Sequence, residues 1–368
     1  MRILIAPDKF KGSLDAKAVG HAIAAGLRSV MTEAEIEIVA VADGGEGTAE
    51  AIIAARQGRW IECESHDALG REIKSSYGWL TETDVAVMEM SAAAGLVRIK
   101  PNERNPFESS TFGVGELLSD AMRRGAKEII IGLGGSATND GGLGMARALG
   151  FRFIDRAGRE IVGTVSRLVD LKGIERPSLL KLPPITAACD VTNPLCGPAG
   201  ATYTFGPQKG VRPTQLELLD RALARLAEVA AESFGNDVSN VPGAGAAGGL
   251  GFGLMAFGDA HICSGFEVVA REISLRDKVR RADVVITGEG KLDQQSLAGK
   301  APAGVCRMAR EEGKRVYAIV GQATNDPEVL KLFDAVMSLD DTSEGYRESE
   351  RLLQLRASTL ARLHLLAG

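Results

Sequence analysis

A chain of 368 residues exceeds what one typical core accommodates, so two domains are expected, and 45% apolar composition is enough to fill both. A net charge of −5 and only 5% aromatic residues provide neither the basic stripe nor the stacking platform that nucleic acid requires, which leaves a small ligand. Cys63, Cys189, Cys196, Cys263 and Cys306 are odd in number and lack C-x-x-C spacing; this argues against a disulfide framework or structural zinc and fits a reducing cytoplasm.

The opening alternates strand and helix signals. Ile3 to Ala6 forms a short buried strand that stops at Pro7-Asp8, too short for a signal-peptide core. No later run approaches the roughly 18 apolar residues that span a bilayer, so no membrane association is expected. Ser13 is expected to cap a helix whose apolar face holds Val19, Ile23, Leu27 and Val30. Glu35 to Ala42 alternates like a strand, and a helix from about Glu46 to Arg56 follows Asp43-Gly44-Gly45. This β-α-β-α order is the start of a doubly wound parallel sheet.

Trp60 to Leu80 changes character and reads as an antiparallel hairpin around Asp67-Ala68-Leu69-Gly70, marking a domain boundary. A strand at Val85 to Met90, a helix at Gly115 to Arg124 and a strand at Ile129 to Leu133 follow, then a glycine-rich loop and a helix containing Met145, Ala148 and Leu149. A further helix begins near Pro213, carries Leu216, Leu219, Leu223 and Leu226 on one face, and ends at Gly235. The last hundred residues return to the opening style, with strands at Val284 to Thr287, Val316 to Val320 and Ala335 to Ser338, and helices at Pro302 to Glu311 and from about Ser349. The expected architecture is α/β, with a discontinuous domain from residues 1–60 and 261–368 and an inserted α/β domain at 61–260.

Ligands of open parallel sheets gather at the carboxyl ends of strands, where helix N-termini and free backbone amides converge. Four loops have that location: Asp8 to Ser13, Asp43 to Thr48, Gly132 to Gly142, and Gly288 to Asp293. In the third, glycines let backbone amides approach a phosphate, and Ser136, Thr138 and Asn139 add neutral donors; a plain tight turn with a helix cap is the competing reading. Asp43, Asp140, Asp190, Glu289 and Asp293 are candidates to hold Mg2+ or orient an attacking hydroxyl, although each alone could be a helix cap or turn former. Lys9, Lys11, Lys209, Lys291 and Lys300 are the candidate cations, with Lys209 and Lys300 favoured.

Two motifs fail on context. Gly243 to Gly248 matches G-x-G-x-x-G, yet Ser239 to Pro242 is no strand and no β-α-β unit surrounds it. Ala301 follows Gly299-Lys300 where a Walker A loop needs Ser or Thr. His21, His66, His261 and His364 lack metal-ligand spacing, and no G-x-S-x-G elbow occurs, so serine-triad hydrolysis has little support.

In order along the chain, Ala6 to Leu14, Ala42 to Thr48, Arg104-Asn105-Pro106 with Thr111 to Glu116, Gly132 to Gly142, Cys189 to Pro194, Phe205 to Gly210, Pro242 to Gly249 and Ile286 to Gly290 resemble the type I glycerate kinase family across essentially the whole sequence. Departures are small: Lys291 stands where arginine is common and Ala298 where histidine is common. The resemblance implies a two-domain fold, with a flavodoxin-like parallel-sheet domain split by the insertion and the active site in the cleft between domains. It implies ATP- and Mg2+-dependent phosphorylation of D-glycerate at the 2-hydroxyl, giving 2-phosphoglycerate and ADP in the cytoplasm, and it is compatible with a homo-oligomer.

Under this resemblance Asp190 is the expected base, with Asp43 as rival and Lys209 as a catalytic cation. Gly134, Gly135, Ser136, Thr138, Asn139, Lys9, Lys300, Gly288 and Gly290 are expected around ATP, and Asp293 and Glu289 around the metal. Arg104 with Asn105 suits the glycerate carboxylate, because a guanidinium grips it with two parallel bonds; Asp8, Gly44 and Gly45 complete the substrate set. A kinase of another small hydroxy acid or sugar, a 3-phosphoglycerate product, and a non-catalytic sensor of phosphorylated acids are the alternatives.

Overall fold

The computed structural model describes residues 1–10, 12–294, 300–324, 326–339 and 348–366. Lys11, Ala298 and Gly299 therefore lie outside the described residues. The chain divides into two compact units, one of Met1–Asp43, Glu50–Arg56 and Phe266–Gly368, the other of Gly44–Ala49 and Gln57–Gly265.

The first unit is built on a five-stranded sheet in the order Ala335–Ser338, Arg315–Val320, Val284–Gly288, Arg2–Pro7, Glu35–Ile38, every pair parallel. Numbered along the chain this is the 2-1-3-4-5 order of the flavodoxin-like fold. Its central strands are near-continuous apolar runs because both faces of a parallel sheet are covered: five successive residues are buried in each of Arg2–Pro7, Val284–Gly288 and Arg315–Val320. Helix Ala16–Arg28 buries Val19, Ile23 and Leu27, as its 3.6-residue spacing requires.

Its cap differs from expectation. Asp15 accepts the Ala18 N–H at 2.7 Å, whereas Ser13 Oγ bonds Ser349 Oγ at 2.7 Å, so the shorter side chain is used between elements and the carboxylate satisfies the helix end. The strand expected over Glu35 to Ala42 is also shorter, Glu35–Ile38. Beyond it only single bonds continue beside the first strand, Val39 N–H to Ile5 O and Val41 N–H to Pro7 O, before the turn at Asp43.

The second unit holds a six-stranded mixed sheet in the order His261–Cys263, Ile185–Ala188, Glu128–Gly132, Val85–Glu89, Glu72–Leu80, Arg59–His66. The expected hairpin is the antiparallel pair at its edge, with Arg59 opposite Trp79 and His66 opposite Glu72; the four strands from Val85–Glu89 onward are parallel. Helix Leu216–Phe234 buries Leu219, Leu223 and Leu226 and ends at Gly235, whose φ of 78° is the left-handed cap that glycine tolerates. Phe151, Phe153, Phe234 and Phe252 surround Phe257 with ring centroids 5.3 to 6.1 Å away, forming an aromatic centre in this core. Sequence reading missed helix Ala246–Gly258, because its glycines have low helix propensity. Among the described residues no helix is long and apolar enough to cross a membrane.

Candidate active site

In the first unit the strand order reverses between Arg2–Pro7 and Val284–Gly288, the switch point where open α/β sheets place their ligands. Asp8 follows one strand and Glu289 the other, and the Asp8 N–H donates to Gly288 O at 2.8 Å, pinning the two strand ends together. The Lys9 N–H donates to Asp8 Oδ1 at 2.6 Å. Burial, then the charge of Asp43 and more weakly that of Glu289, push the Asp8 carboxyl from its ordinary value of 3.8 up to about 7, against the pull of Lys9. A carboxyl held near neutrality beside two others is suited to accept a proton at physiological pH.

Glu289 is only 5% exposed. Lys300 Nζ lies 4.0 Å from Glu289 Oε2 and 3.8 Å from Asp293 Oδ1, so one ammonium faces both carboxylates, while Lys291 pairs with Asp293 at 3.4 Å. No group of three metal-ligating side chains occurs among the described residues. Two carboxylates are nonetheless the donor set that Mg2+ accepts when waters and phosphate oxygens complete its octahedron, so Glu289 and Asp293 fit that ion. Gly288 and Gly290, expected near nucleotide, hold the loop with their carbonyls: Gly288 O accepts from Asp8 and Gly290 O from Gln322 at 3.0 Å.

In the second unit the glycine-rich loop leaves strand Glu128–Gly132 and enters helix Leu143–Ala148. Backbone lies directly on backbone here. A Cβ on Gly132 would sit 2.7 Å from Gly44 O, and one on Gly134 2.4 Å from Gly45 Cα. Asp140 is buried and accepts from Thr111 N (2.8 Å), Thr111 Oγ1 (2.8 Å), Gly142 N (3.1 Å) and Gly144 N (3.0 Å). Burial raises its carboxyl, and those four donors oppose the rise. Asp140 is thus the organiser of the loop's exit rather than an exposed ligand.

Lys209, presented by the turn Pro207–Lys209, is 1% exposed and donates through Nζ to Ser136 Oγ and Thr138 O, both at 2.7 Å. Burial pulls its amine down to about 7, with Asp140 resisting. Asn139 donates to Thr202 Oγ1 at 3.0 Å. Among the described residues Thr138 Oγ1 and Asn139 Oδ1 are buried without a hydrogen-bond partner. The Thr138 hydroxyl beside a glycine cradle can donate to a phosphate oxygen, whereas Asn139 Oδ1 can only accept.

Arg104 and Asn105 sit beside that turn. Arg104 Nη1 donates to Gln208 O at 2.9 Å and its Nε has no partner among the described residues, leaving donors for a carboxylate. Asn105 is engaged in its own turn: Oδ1 accepts from Phe107 N at 3.2 Å and Nδ2 donates to Glu108 at 3.1 Å. Asp190 follows strand Ile185–Ala188, where its Oδ1 accepts from Ser264 Oγ at 2.9 Å and Gly265 N at 2.8 Å, the geometry of a cap for helix Gly265–Glu272. Sequence reasoning missed Glu89. At the end of strand Val85–Glu89, its Oε1 accepts the Gly47 and Ala49 N–H groups at 2.9 and 3.0 Å, tying down the Gly44–Ala49 segment. Its position at a strand end was the available signal.

These features define the class: an α/β enzyme whose polar loops gather at the carboxyl ends of its parallel strands. The sequence model of the glycerate kinase family matches residues 3–365. The chain is 41% identical to a glycerate kinase of Haemophilus influenzae over 99% of this chain and 98% of the relative. It is 42% identical to the glycerate 2-kinase of Escherichia coli K12, covering 94% and 93% of the two chains. A crystal structure described as a glycerate kinase 2 from Salmonella typhimurium LT2 superposes with a TM-score of 0.86 at 39% identity, over 98% of this chain and 97% of the other. The protein belongs to the glycerate kinase family.

Proposed function

We propose that this enzyme transfers the γ-phosphoryl group of ATP to the 2-hydroxyl of D-glycerate, giving 2-phosphoglycerate and ADP in the cytoplasm. The observation that carries the reading is the placement of Asp8 and Glu289 on the two strand ends joined at the switch point of the first unit, in a chain of this family. The near-full-length likeness to the Escherichia coli chain named glycerate 2-kinase supports the 2-hydroxyl as acceptor.

Asp8 takes the hydroxyl proton as the oxygen attacks, and the neighbouring charge of Asp43 keeps that carboxyl basic. Asp190 is the rival base, with one oxygen already given to Ser264 and Gly265. Mg2+, held by Glu289 and Asp293, would neutralise phosphate charge when bound. Lys300 and Lys9 add positive charge, and the Gly134 to Asn139 loop offers backbone donors to the phosphates. Arg104 grips the glycerate carboxylate, with Gly44 and Gly45 permitting close approach of the backbone.

Incubation with ATP, Mg2+ and D-glycerate, followed by phosphorus and proton NMR of the product, tests the reading. ADP formation no higher than in the glycerate-free control would overturn it, and a 3-phosphoglycerate product would move the acceptor to the other hydroxyl. Arg104→Ala is expected to raise KM for glycerate by about 10- to 100-fold, the worth of a charged hydrogen-bonded contact, with a smaller change in kcat. An unchanged KM would move the carboxylate site elsewhere.

A further inference from the structure

Lys209 occupies a position unlike that of a group meeting a transferred phosphoryl. Its turn is held from several sides: the Lys209 N–H donates to Gly206 O, the Gly210 N–H to Pro207 O, and Arg104 Nη1 to Gln208 O. Gly210, with φ of 96°, closes it. From this anchored base the side chain runs inward until its nitrogen is buried, reaching one side-chain oxygen and one backbone oxygen two residues apart in the glycine-rich loop. Gly135, Gly141 and Gly142 in that loop all have positive φ, and each glycine costs more backbone entropy to order than any other residue. The loop therefore needs fasteners. One side is fixed by Ala137 N–H to Ala94 O at 2.9 Å and by Leu96 N–H to Gly135 O at 2.8 Å.

We infer that Lys209 is the positioning residue for the Ser136 to Thr138 turn, holding it in the conformation that meets the nucleotide phosphates, and that it makes no contact with the transferred group. The inference rests on the reading of this loop as the nucleotide site. Either protonation state of the amine carries the two N–H donors that the geometry uses.

Lys209→Met, which keeps the length and removes the donors, separates this role from a catalytic one. Amide hydrogen exchange across residues 133–140 is expected to accelerate about tenfold or more in the variant, and the Kd for ATP by calorimetry to weaken by a similar factor. In Lys209→Ala, ethylamine or propylamine should restore slow exchange and ATP affinity saturably, whereas a tetramethylammonium salt, lacking N–H donors, should not. Ser136→Ala combined with Lys209→Met should weaken ATP no further than Lys209→Met alone. Wild-type exchange and wild-type ATP affinity in a Lys209→Met protein that has lost kcat would overturn the inference and put the amine on the transferred group. Should Lys209→Met not fold, Ser136→Ala alone must accelerate exchange in the same segment; an unchanged rate overturns the inference equally. A wild-type protein that binds ATP without phosphorylating glycerate would refute the substrate, while the exchange data would still decide the role of Lys209.

Discussion

Asp8→Asn is expected to lower kcat by about two to four orders of magnitude in a protein that remains folded, the range associated with loss of a general base. Asn keeps the shape of the side chain and its acceptor for the Lys9 N–H, but it cannot take a proton. The sign of the pH effect follows from the direction of the shift. Burial and the charge of Asp43 raise the carboxyl to about 7, so below that pH it is protonated and cannot act as base. Wild-type kcat/KM should therefore fall towards tenfold per pH unit on the acid side of about 7 and level off above it. That acid limb should vanish from the residual activity of Asp8→Asn. Because Asp8 and Asp43 interact, the limb reports the pair, and Asp43→Asn should move it downward by removing a negative neighbour. Asp190→Asn in the same series is the decisive comparison. If it abolishes the acid limb and Asp8→Asn preserves it, the base is Asp190, and the bonds from Ser264 and Gly265 merely orient it.

The parts of the molecule legible in sequence were those with local causes. Arg2–Pro7 and Val284–Gly288 announced themselves as apolar runs because a parallel sheet buries both faces, and Gly235 marked a helix end because only glycine rests easily at its φ. The polar loops were legible as loops, since glycine and aspartate punctuate chains in recognisable ways. What converges on them was not. Asp43 and Glu289 act on Asp8 because the strand order sets the second and third strands on either side of the first, and nothing in the spacing of the residues encodes that order. Lys209 was legible as a favoured cation, but not its partners, because the loop it fastens is some seventy residues earlier, with Ser136 73 positions away. Asp190 was legible as a carboxylate at a strand end, but not its link to Gly265, whose N–H it accepts from 75 residues away. Helix Ala246–Gly258 escaped because its glycines serve close packing rather than helix propensity, and three successive residues, Ala247, Gly248 and Gly249, turn left-handed within it.

Gly248 is the position where that packing is tightest, and Gly248→Ala is expected to be the most damaging single-methyl change in the second unit. Two penalties combine. With φ of 69° any L residue is strained by about 1–2 kcal/mol, and a Cβ built there would lie 1.9 Å from Thr138 O, with Asn139 Cα at 2.7 Å. Neither obstacle is the movable end of a side chain. The Gly248 carbonyl accepts the Gly141 N–H at 3.0 Å, so the segment cannot retreat without breaking the bond that holds it to the glycine-rich loop. Thr138 O is also the oxygen that Lys209 binds, which means a displaced Thr138 loses its fastener as well. The expected loss is about 3 kcal/mol or more of stability, accompanied by weakened ATP binding. Gly235→Ala is the matched control. Its φ of 78° is equally left-handed, but a Cβ there meets nothing within 4 Å, so only the backbone strain remains, about 1 kcal/mol. Urea midpoints for the two variants should therefore differ severalfold in their displacement from wild type. Equal displacements would mean that the backbone of Thr138 yields freely, and the close contact between these segments would then carry no energetic weight.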